Sequence, residues 1–130
     1  MASLFLDTNC LIDIIENRDP SLRARVEPHT VSISVLSLPI LVYVGKYKIP
    51  HEKLQLIGKY FHLAPLSTQV ATQSLSGPTS DYEDNIQLYT AVANKCELFL
   101  TRDKGLLKLK KFEFLKIFSP DDLAEKTRIS

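Results

Sequence analysis

Short apolar runs typical of buried strands alternate with helical patterns along this chain. The predicted strands are SLFLD, TVSISVL, ELFLT and FLKIFSP. The predicted helices are NCLIDIIEN, SLPILVYVGKYK, PHEKLQLIGKYFHL, STQVATQSLS and SDYEDNIQLYTAVANKC, with shorter helices in RDPSLRARVEPH and RDKGLLKLKK. Such alternation is typical of folds in which helices cover a mostly parallel sheet. The pattern therefore predicts an α/β sandwich with a mostly parallel central sheet.

Composition places the chain among ordinary globular proteins. Its 130 residues suffice for one domain spanning 1–130 that buries a core without disulfides. Apolar residues make up 45% and charged residues 24%, and the formal net charge of +1 provides no global basic field for nucleic acid. Cys10 and Cys96 are unclustered, which suits a reducing compartment. Neither a signal peptide nor a membrane-length apolar run is visible, so we expect a cytoplasmic protein with no membrane partner.

Carboxylates follow two of the predicted strands at the point where each strand ends. Asp7 closes SLFLD, and Asp103 follows ELFLT after Thr101 and Arg102. If these strands are parallel neighbours, both acids reach the edge of the sheet where open α/β folds bind their ligands. Helix capping is the alternative for Asp7, because its oxygens can accept the unpaired N–H groups of a helix start. We assign capping to Asn9 and predict that Asp7 belongs to a site.

The best-defined predicted helix, SDYEDNIQLYTAVANKC, carries further acids near its start. Ser80 and Glu83 have the spacing of a capping box, in which a hydroxyl and a carboxylate each satisfy a backbone N–H. Asp84 lies one turn inside the helix, and Asp81, three residues earlier, lies on the same helical face. Stabilisation of the helix dipole is the alternative role for such acids. Their combination with the acids at the two strand ends favours a shared acidic pocket.

Three stretches of the chain resemble the PIN-domain family of metal-dependent ribonucleases, which includes the VapC-like toxins of prokaryotic toxin–antitoxin pairs. They are LDTNCLIDIIE, SISVLSLPILVYVGKYKIP and DYEDNIQLYTAVANKCELFLTRDKGL, and they span nearly the whole sequence. The resemblance implies a three-layer PIN-like fold and the hydrolysis of RNA phosphodiester bonds with Mg²⁺ or Mn²⁺. It also implies three partners, namely RNA, a small antitoxin protein and a second copy of the chain in a homodimer.

The resemblance also assigns roles to individual residues. Asp7 in DTN, Asp84 in EDNIQ and Asp103 in TRD match the catalytic acids that bind the metal. Asn9 and Thr101 match the polar residues that support the metal site, and Asp81 is a further acid able to support it. Mg²⁺ prefers oxygen ligands and takes only one or two protein carboxylates beside its waters. The acids that match the family therefore suffice for one ion.

One position departs from the family pattern. The family carries a glutamate six residues after a serine, and counting from Ser34 gives Ile40. The stretch 31–45 contains no acid at all, and Gly105 replaces another acid often found after the third aspartate. The missing glutamate makes a second metal ion, and with it two-metal phosphoryl chemistry, harder to support.

A basic segment, residues 101–116, contains the last acid of the predicted site. It holds six cationic residues against two acids, a local charge of +4 in a chain of +1. Solvated lysine faces are the common alternative for such runs. Arg102 and Lys104 flank Asp103 and are therefore the predicted substrate contacts. A second basic stretch contains Lys46, Lys48, Lys53 and Lys59.

Two functions of different classes remain open. The leading hypothesis is a Mg²⁺- or Mn²⁺-dependent ribonuclease, the toxin of a toxin–antitoxin pair. The alternative, which Ile40 favours, is a catalytically weakened PIN domain that acts as an RNA- or protein-binding module. A receiver-like or phosphatase-like domain is a remote third reading. No acid pair follows the first strand as in a receiver, and DTN lacks the second aspartate of a D-x-D phosphatase motif.

Overall fold

A computed structural model describes residues 2–123 of the chain. Its sheet contains β1 (Ser3–Leu6), β2 (Thr30–Ser34), β3 (His62–Ala64), β4 (Leu98–Leu100), β5 (Lys111–Phe112) and β6 (Leu115–Phe118). The order across the sheet is β3-β2-β1-β4-β6-β5. All neighbouring pairs are parallel except β5 with β6, which is antiparallel. The mostly parallel α/β fold predicted from the sequence is therefore confirmed.

Helices cover both faces of this sheet. They are α1 (Thr8–Ile15), α2 (Pro20–Val26), α3 (Ser37–Gly45), α4 (Glu52–Gln55), α5 (Ile57–Tyr60), α6 (Thr68–Gln73), α7 (Tyr82–Ala93) and α8 (Lys104–Leu109). A 3₁₀ turn at Ser74–Ser76 follows α6, and residues 120–123 are helical. The short helix predicted in RDPSLRARVEPH is α2, which begins at Pro20, where a missing N–H costs nothing. Asp19 caps this helix by accepting the N–H of Leu22.

Alternation along the strands divides the core into two layers. Leu4 and Leu6 of β1 pack with α1 and α2, in a cluster that also receives side chains from α3 and α5. Phe5, which points to the opposite face, packs with α7 and α8. Its ring stacks on Phe99 of β4 with centroids 5.6 Å apart. The pairing of β1 with β4 thus lies at the centre of the sheet and of both layers.

The predicted helix over residues 50–63 is confirmed in part, but it is interrupted and ends too late. The structure has two four-residue helices there, α4 and α5, followed by the strand β3. Residues 62–64 pair with β2, and these hydrogen bonds to a distant segment leave no periodic trace in the sequence. The short strand β5 was not predicted either, because two residues carry too little pattern.

The two thiols of the chain are free and buried. Burial raises the pKa of Cys10 to about 12 and raises that of Cys96 as well, so both thiols stay protonated in the folded protein. Among residues 2–123, no helix combines the length and the apolar character needed to cross a bilayer.

Candidate metal-binding acidic site

Asp7 lies directly after β1, between the sheet and α1. Its N–H donates to the carbonyl of Leu100 over 3.0 Å, which extends the β1–β4 pairing by one residue. Its side chain is the N-cap of α1, because Oδ1 accepts the N–H of Thr8 over 2.8 Å. The assignment of the cap to Asn9 is therefore wrong, and Asn9 is an exposed residue of the first helical turn. Three cap-forming residues in succession left this choice open in the sequence.

Thr101 connects Asp7 to Asp103. The Thr101 hydroxyl is completely buried and donates to Oδ2 of Asp7 over 2.7 Å. The hydroxyl oxygen of Thr101 also accepts the backbone N–H of Asp103 over 3.0 Å. Asp103 in turn caps α8, with Oδ1 accepting the N–H of Leu106. One hydroxyl thus holds the ends of β1 and β4 and the start of α8 in a fixed relation.

The start of α7 differs from the capping box predicted for Ser80 and Glu83. Asp81 is the N-cap, and its Oδ1 accepts the N–H of Asp84 over 2.9 Å. The prediction of the cap was wrong by one residue because serine and aspartate are equally good cap residues. Asp81 and Asp84 are nevertheless adjacent, as the helical spacing indicated.

Five carboxylates form what we call the acidic cluster: Asp7, Asp81, Glu83, Asp84 and Asp103. Burial and the negative charges of the other four raise the pKa of Asp84 from 3.8 to about 7. Burial also raises the pKa of Asp7, against the opposing effect of its hydrogen bonds from Thr101 and Thr8. Mutual repulsion within the cluster shows that the strand-end acids and the α7 acids are electrostatic neighbours. Glu83 is the member that sequence reasoning had assigned only to capping.

The donor chemistry of the acidic cluster fits a hard divalent cation. Its side chains are all carboxylates, and a cation would compensate the charge that raises the pKa of Asp84. Within residues 2–123, no group of three or more His, Cys, Asp or Glu side chains is already arranged to hold a metal ion. Mg²⁺ keeps several waters and needs only one or two protein carboxylates, so a hydrated ion suits these residues better than a closed cage.

A buried polar group lies next to Asp7 and was not foreseen from the sequence. Gln87 of α7 donates from Nε2 to Thr8 Oγ1 over 2.9 Å and to Ser37 Oγ over 3.3 Å. The two hydroxyls are 2.8 Å apart. These contacts tie the starts of α1 and α3 to α7. Ile40 is half-buried one turn after Ser37 and so lies on the same side of α3.

Arg102 and Lys104, the predicted substrate contacts, differ in their surroundings. The Arg102 guanidinium forms ion pairs with Asp13 at 3.0 Å and with Asp19, so it links the β4–α8 connection to α1 and α2. Lys104 is exposed at the first position of α8, next to Asp103. The lysine is therefore free to approach a substrate, whereas the arginine is engaged within the protein.

The sheet, its helices and the acidic cluster at the carboxyl ends of β1 and β4 define an α/β protein of PIN-like fold. In the crystal structure of VapBC2 from Rickettsia felis bound to a DNA fragment from their promoter, one chain matches with a TM-score of 0.65 and 20% identity. The match covers 90% of this chain and 98% of that one. A chain in the crystal structure of DNA-bound VapBC from Salmonella typhimurium matches with a TM-score of 0.63 and 20% identity, covering 92% and 99%.

These likenesses confirm the resemblance at the level of the fold. No model of a known protein family matches the chain, and no curated protein matches its sequence. At 20% identity the activity has to be argued from the residues of this chain itself.

The raised pKa of Asp84 predicts a pH-dependent stability in metal-free buffer. Because folding raises this pKa from 3.8 to about 7, the folded state favours the neutral carboxyl. The resulting stabilisation is complete below the unfolded value and is lost as the pH rises through the folded value. The variant Asp84→Asn is neutral throughout, so it should lack this dependence and resist urea better than the wild type near about pH 8. Urea unfolding in EDTA across this pH range measures the effect.

Two further variants test the cause. Asp81→Asn keeps a good cap but removes the largest repulsive charge, so its pH dependence should be weaker than that of the wild type. Asp122→Asn is the matched control, since Asp122 accepts the N–H of Ser119 outside the acidic cluster. An unchanged pH dependence in Asp84→Asn would show that the raised pKa of Asp84 is not its cause.

Proposed function

We propose that this chain is a Mg²⁺- or Mn²⁺-dependent ribonuclease that acts in the cytoplasm as one domain spanning residues 1–130. The observation that carries the proposal is the acidic cluster at the carboxyl edge of the sheet, where Thr101 joins Asp7 to Asp103. Asp7, Asp81 and Asp103 each cap a helix. Capping does not require that these carboxylates repel one another, and a cluster of repelling acids at a ligand-binding edge is typical of a functional site. They suit an enzyme that binds a cation and a phosphodiester.

In this proposal Asp7, Asp84 and Asp103 hold the cation, with Asp81 in support. When bound, the cation polarises a phosphoryl oxygen and makes water more acidic. Asp7 is held in one orientation, because each of its oxygens accepts a hydrogen bond. Asp84, whose pKa is about 7 before a cation binds, would release its proton when the cation binds, because a carboxylate ligand has to be ionised. Lys104 lies at the rim and offers its ammonium to the phosphate.

The alternative is a weakened PIN domain that binds RNA or a protein without efficient cleavage. Ile40 is the observation that favours it, since the family pattern has a glutamate at this position of α3. An apolar side chain there cannot bind a hydrated ion or add to the negative charge of the acidic cluster. We therefore propose that the activity is low but measurable.

We also propose two protein partners. The matching crystal structures are VapBC assemblies, which supports a small antitoxin as a partner of this chain. Tyr43 and Val44 on α3 are 85% and 50% exposed, an apolar surface that suits a homodimer contact. The antitoxin proposal is tested with the product of a short reading frame next to the gene of this chain. That product has to co-purify with the chain and suppress its cleavage of RNA.

Restoring the missing acid should raise the ribonuclease activity. In Ile40→Glu, we expect faster cleavage of a mixed panel of structured and single-stranded RNAs in Mn²⁺. One well-placed metal interaction contributes several kcal/mol to the transition state, and ~1.4 kcal/mol corresponds to about tenfold in rate. Ile40→Gln is the matched control, because glutamine has the shape of glutamate without its charge, and this variant should not gain activity. Asp7→Asn should lose it.

The outcomes of this assay separate the two functions. Wild-type cleavage that disappears in Asp7→Asn supports the enzyme. If neither the wild type nor Ile40→Glu cuts any RNA with either metal, the ribonuclease is refuted and the binding module replaces it.

Metal binding should depend on the acidic cluster. We expect calorimetric titration with Mn²⁺ to show weak binding to the wild type and a clear loss in Asp103→Asn, because the variant removes one charge while asparagine preserves the α8 cap. Asp122→Asn, another capping carboxylate, should bind like the wild type. Equal binding by all three proteins would mean that the metal site lies elsewhere.

The homodimer contact should be sensitive to charge on α3. In light scattering, Tyr43→Glu should shift the protein from dimer to monomer, because two buried glutamates would face each other across a symmetric contact. Leu75→Glu is the matched control, since Leu75 is 74% exposed on the 3₁₀ turn away from α3. A wild type that is monomeric at every concentration would refute the dimer.

A further inference from the structure

The segment from α8 to β6 carries a concentration of positive charge that the acidic cluster does not explain. Residues 104–116 contain five lysines and one glutamate, a net charge of +4. All five lysines are exposed: Lys104, Lys108, Lys110, Lys111 and Lys116. In the described part of the chain, the ion pairs are Arg25–Asp121, Lys53–Glu16 and those of Arg102, so none includes these lysines.

Two of the lysines are held together by the sheet itself. Lys111 of β5 lies directly opposite Lys116 of β6 in the antiparallel pair. Like charges in opposite positions destabilise a strand pair. Glu97, directly before β4, accepts the N–H of Lys116 with its backbone carbonyl. Its carboxylate accepts hydrogen bonds from Ser3 instead. Among the described residues neither lysine of the pair forms an ion pair, and Glu113 in the turn offers one negative charge against these two positive charges.

An aromatic ring stands beside this charge. Phe114 lies in the turn between β5 and β6 and is 57% exposed. The neighbouring Phe112 is different, because its ring packs edge-on against Tyr89 at 5.0 Å. The turn thus presents one aromatic ring to solvent within a few residues of the lysine pair.

The acidic cluster is within reach of the hairpin. Lys116 precedes Phe118 by two residues, and Phe118 pairs with Leu100 just before Thr101. At ~3.3 Å per residue along a strand and ~4.8 Å between strands, the lysine pair lies roughly 10–15 Å from the acid edge. A strand of a few nucleotides covers that distance.

We propose that the β5–β6 hairpin binds single-stranded RNA, with Lys111 and Lys116 on successive phosphates and Phe114 stacked on an unpaired base. The inference rests on the proposed function, whose substrate it defines as an unpaired segment that extends from the acidic cluster across the sheet edge. Basic grooves with exposed aromatic rings bind single strands in this way, because every base has a face on which a ring can stack. The hairpin supplies both parts at fixed positions.

The test is RNA binding, measured by fluorescence anisotropy with a labelled single strand of about 12 nucleotides over a range of salt concentrations in EDTA. Each phosphate contact on a single strand contributes roughly −0.7 to the slope of log affinity against log salt. The double variant Lys111→Gln/Lys116→Gln should therefore bind more weakly, with a slope shallower by about 1.4. Lys46→Gln/Lys48→Gln changes the net charge equally in the α3–α4 connection and should keep the wild-type slope.

Further measurements separate stacking from charge and binding from cleavage. Phe114→Ala should weaken binding by about tenfold without changing the salt slope, and duplex RNA should bind less well than the single strand. The binding assay is run in EDTA, where a metal-dependent nuclease does not cleave, so a failed nuclease assay leaves this result unaffected. Equal slopes in the hairpin variant and the wild type, or preferred binding of the duplex, would overturn the inference even if the protein cleaves RNA.

Discussion

The hydrogen bond between Thr101 and Asp7 is the contact on which the architecture of the carboxyl edge depends. The Thr101 hydroxyl is buried, donates to the Asp7 carboxylate over 2.7 Å, and accepts the backbone N–H of Asp103, the N-cap of α8. A hydrogen bond to a charged group contributes about 1.5–3 kcal/mol, and its loss would leave a buried carboxylate with one partner fewer. Because Asp7 also caps α1, one carboxylate fixes the sheet end and the start of a helix on one side of the fold. The acids of the site are therefore part of the framework and are not added to it.

This arrangement concentrates uncompensated negative charge on one side of the β4–α8 connection. Arg102 lies next to Asp103 in the sequence, yet its guanidinium contacts Asp13 and Asp19, which also caps α2. The arginine compensates part of the charge of those two carboxylates, and among residues 2–123 no ion pair includes a member of the acidic cluster. Burial and the repulsion of the neighbouring carboxylates together raise the pKa of Asp84 to about 7. A cation bound at this edge would relieve the repulsion among these carboxylates, and that relief would favour its binding.

The sequence predicted those elements whose pattern is local. The runs that became β1, β2, β4 and β6 end in recognisable turn or cap residues, whereas β3 and β5 exist only through pairing with neighbouring strands. Caps were misassigned at Asn9 and Ser80 because adjacent residues could serve equally well, and only the backbone geometry selects one. The contacts of Gln87 with Thr8 and Ser37 join three helices that are remote in sequence, so no motif could reveal them. Local chemistry indicated the edge at which the acids meet, but the partners of each acid depended on tertiary packing.

The ends of the sheet carry a consequence for the behaviour of the protein at high concentration. Both outer strands are short, with three residues in β3 and two in β5, and β5 presents a charged lysine beside another on β6. Exposed strand edges are templates for joining one sheet to the next, and brevity and lysine charge both prevent that contact. The lysine pair that we propose to bind RNA would thus also disfavour the pairing of β5 with a second copy of the sheet. A bound polyanion would neutralise this repulsion, so solubility and nucleic-acid binding are opposed at the same edge.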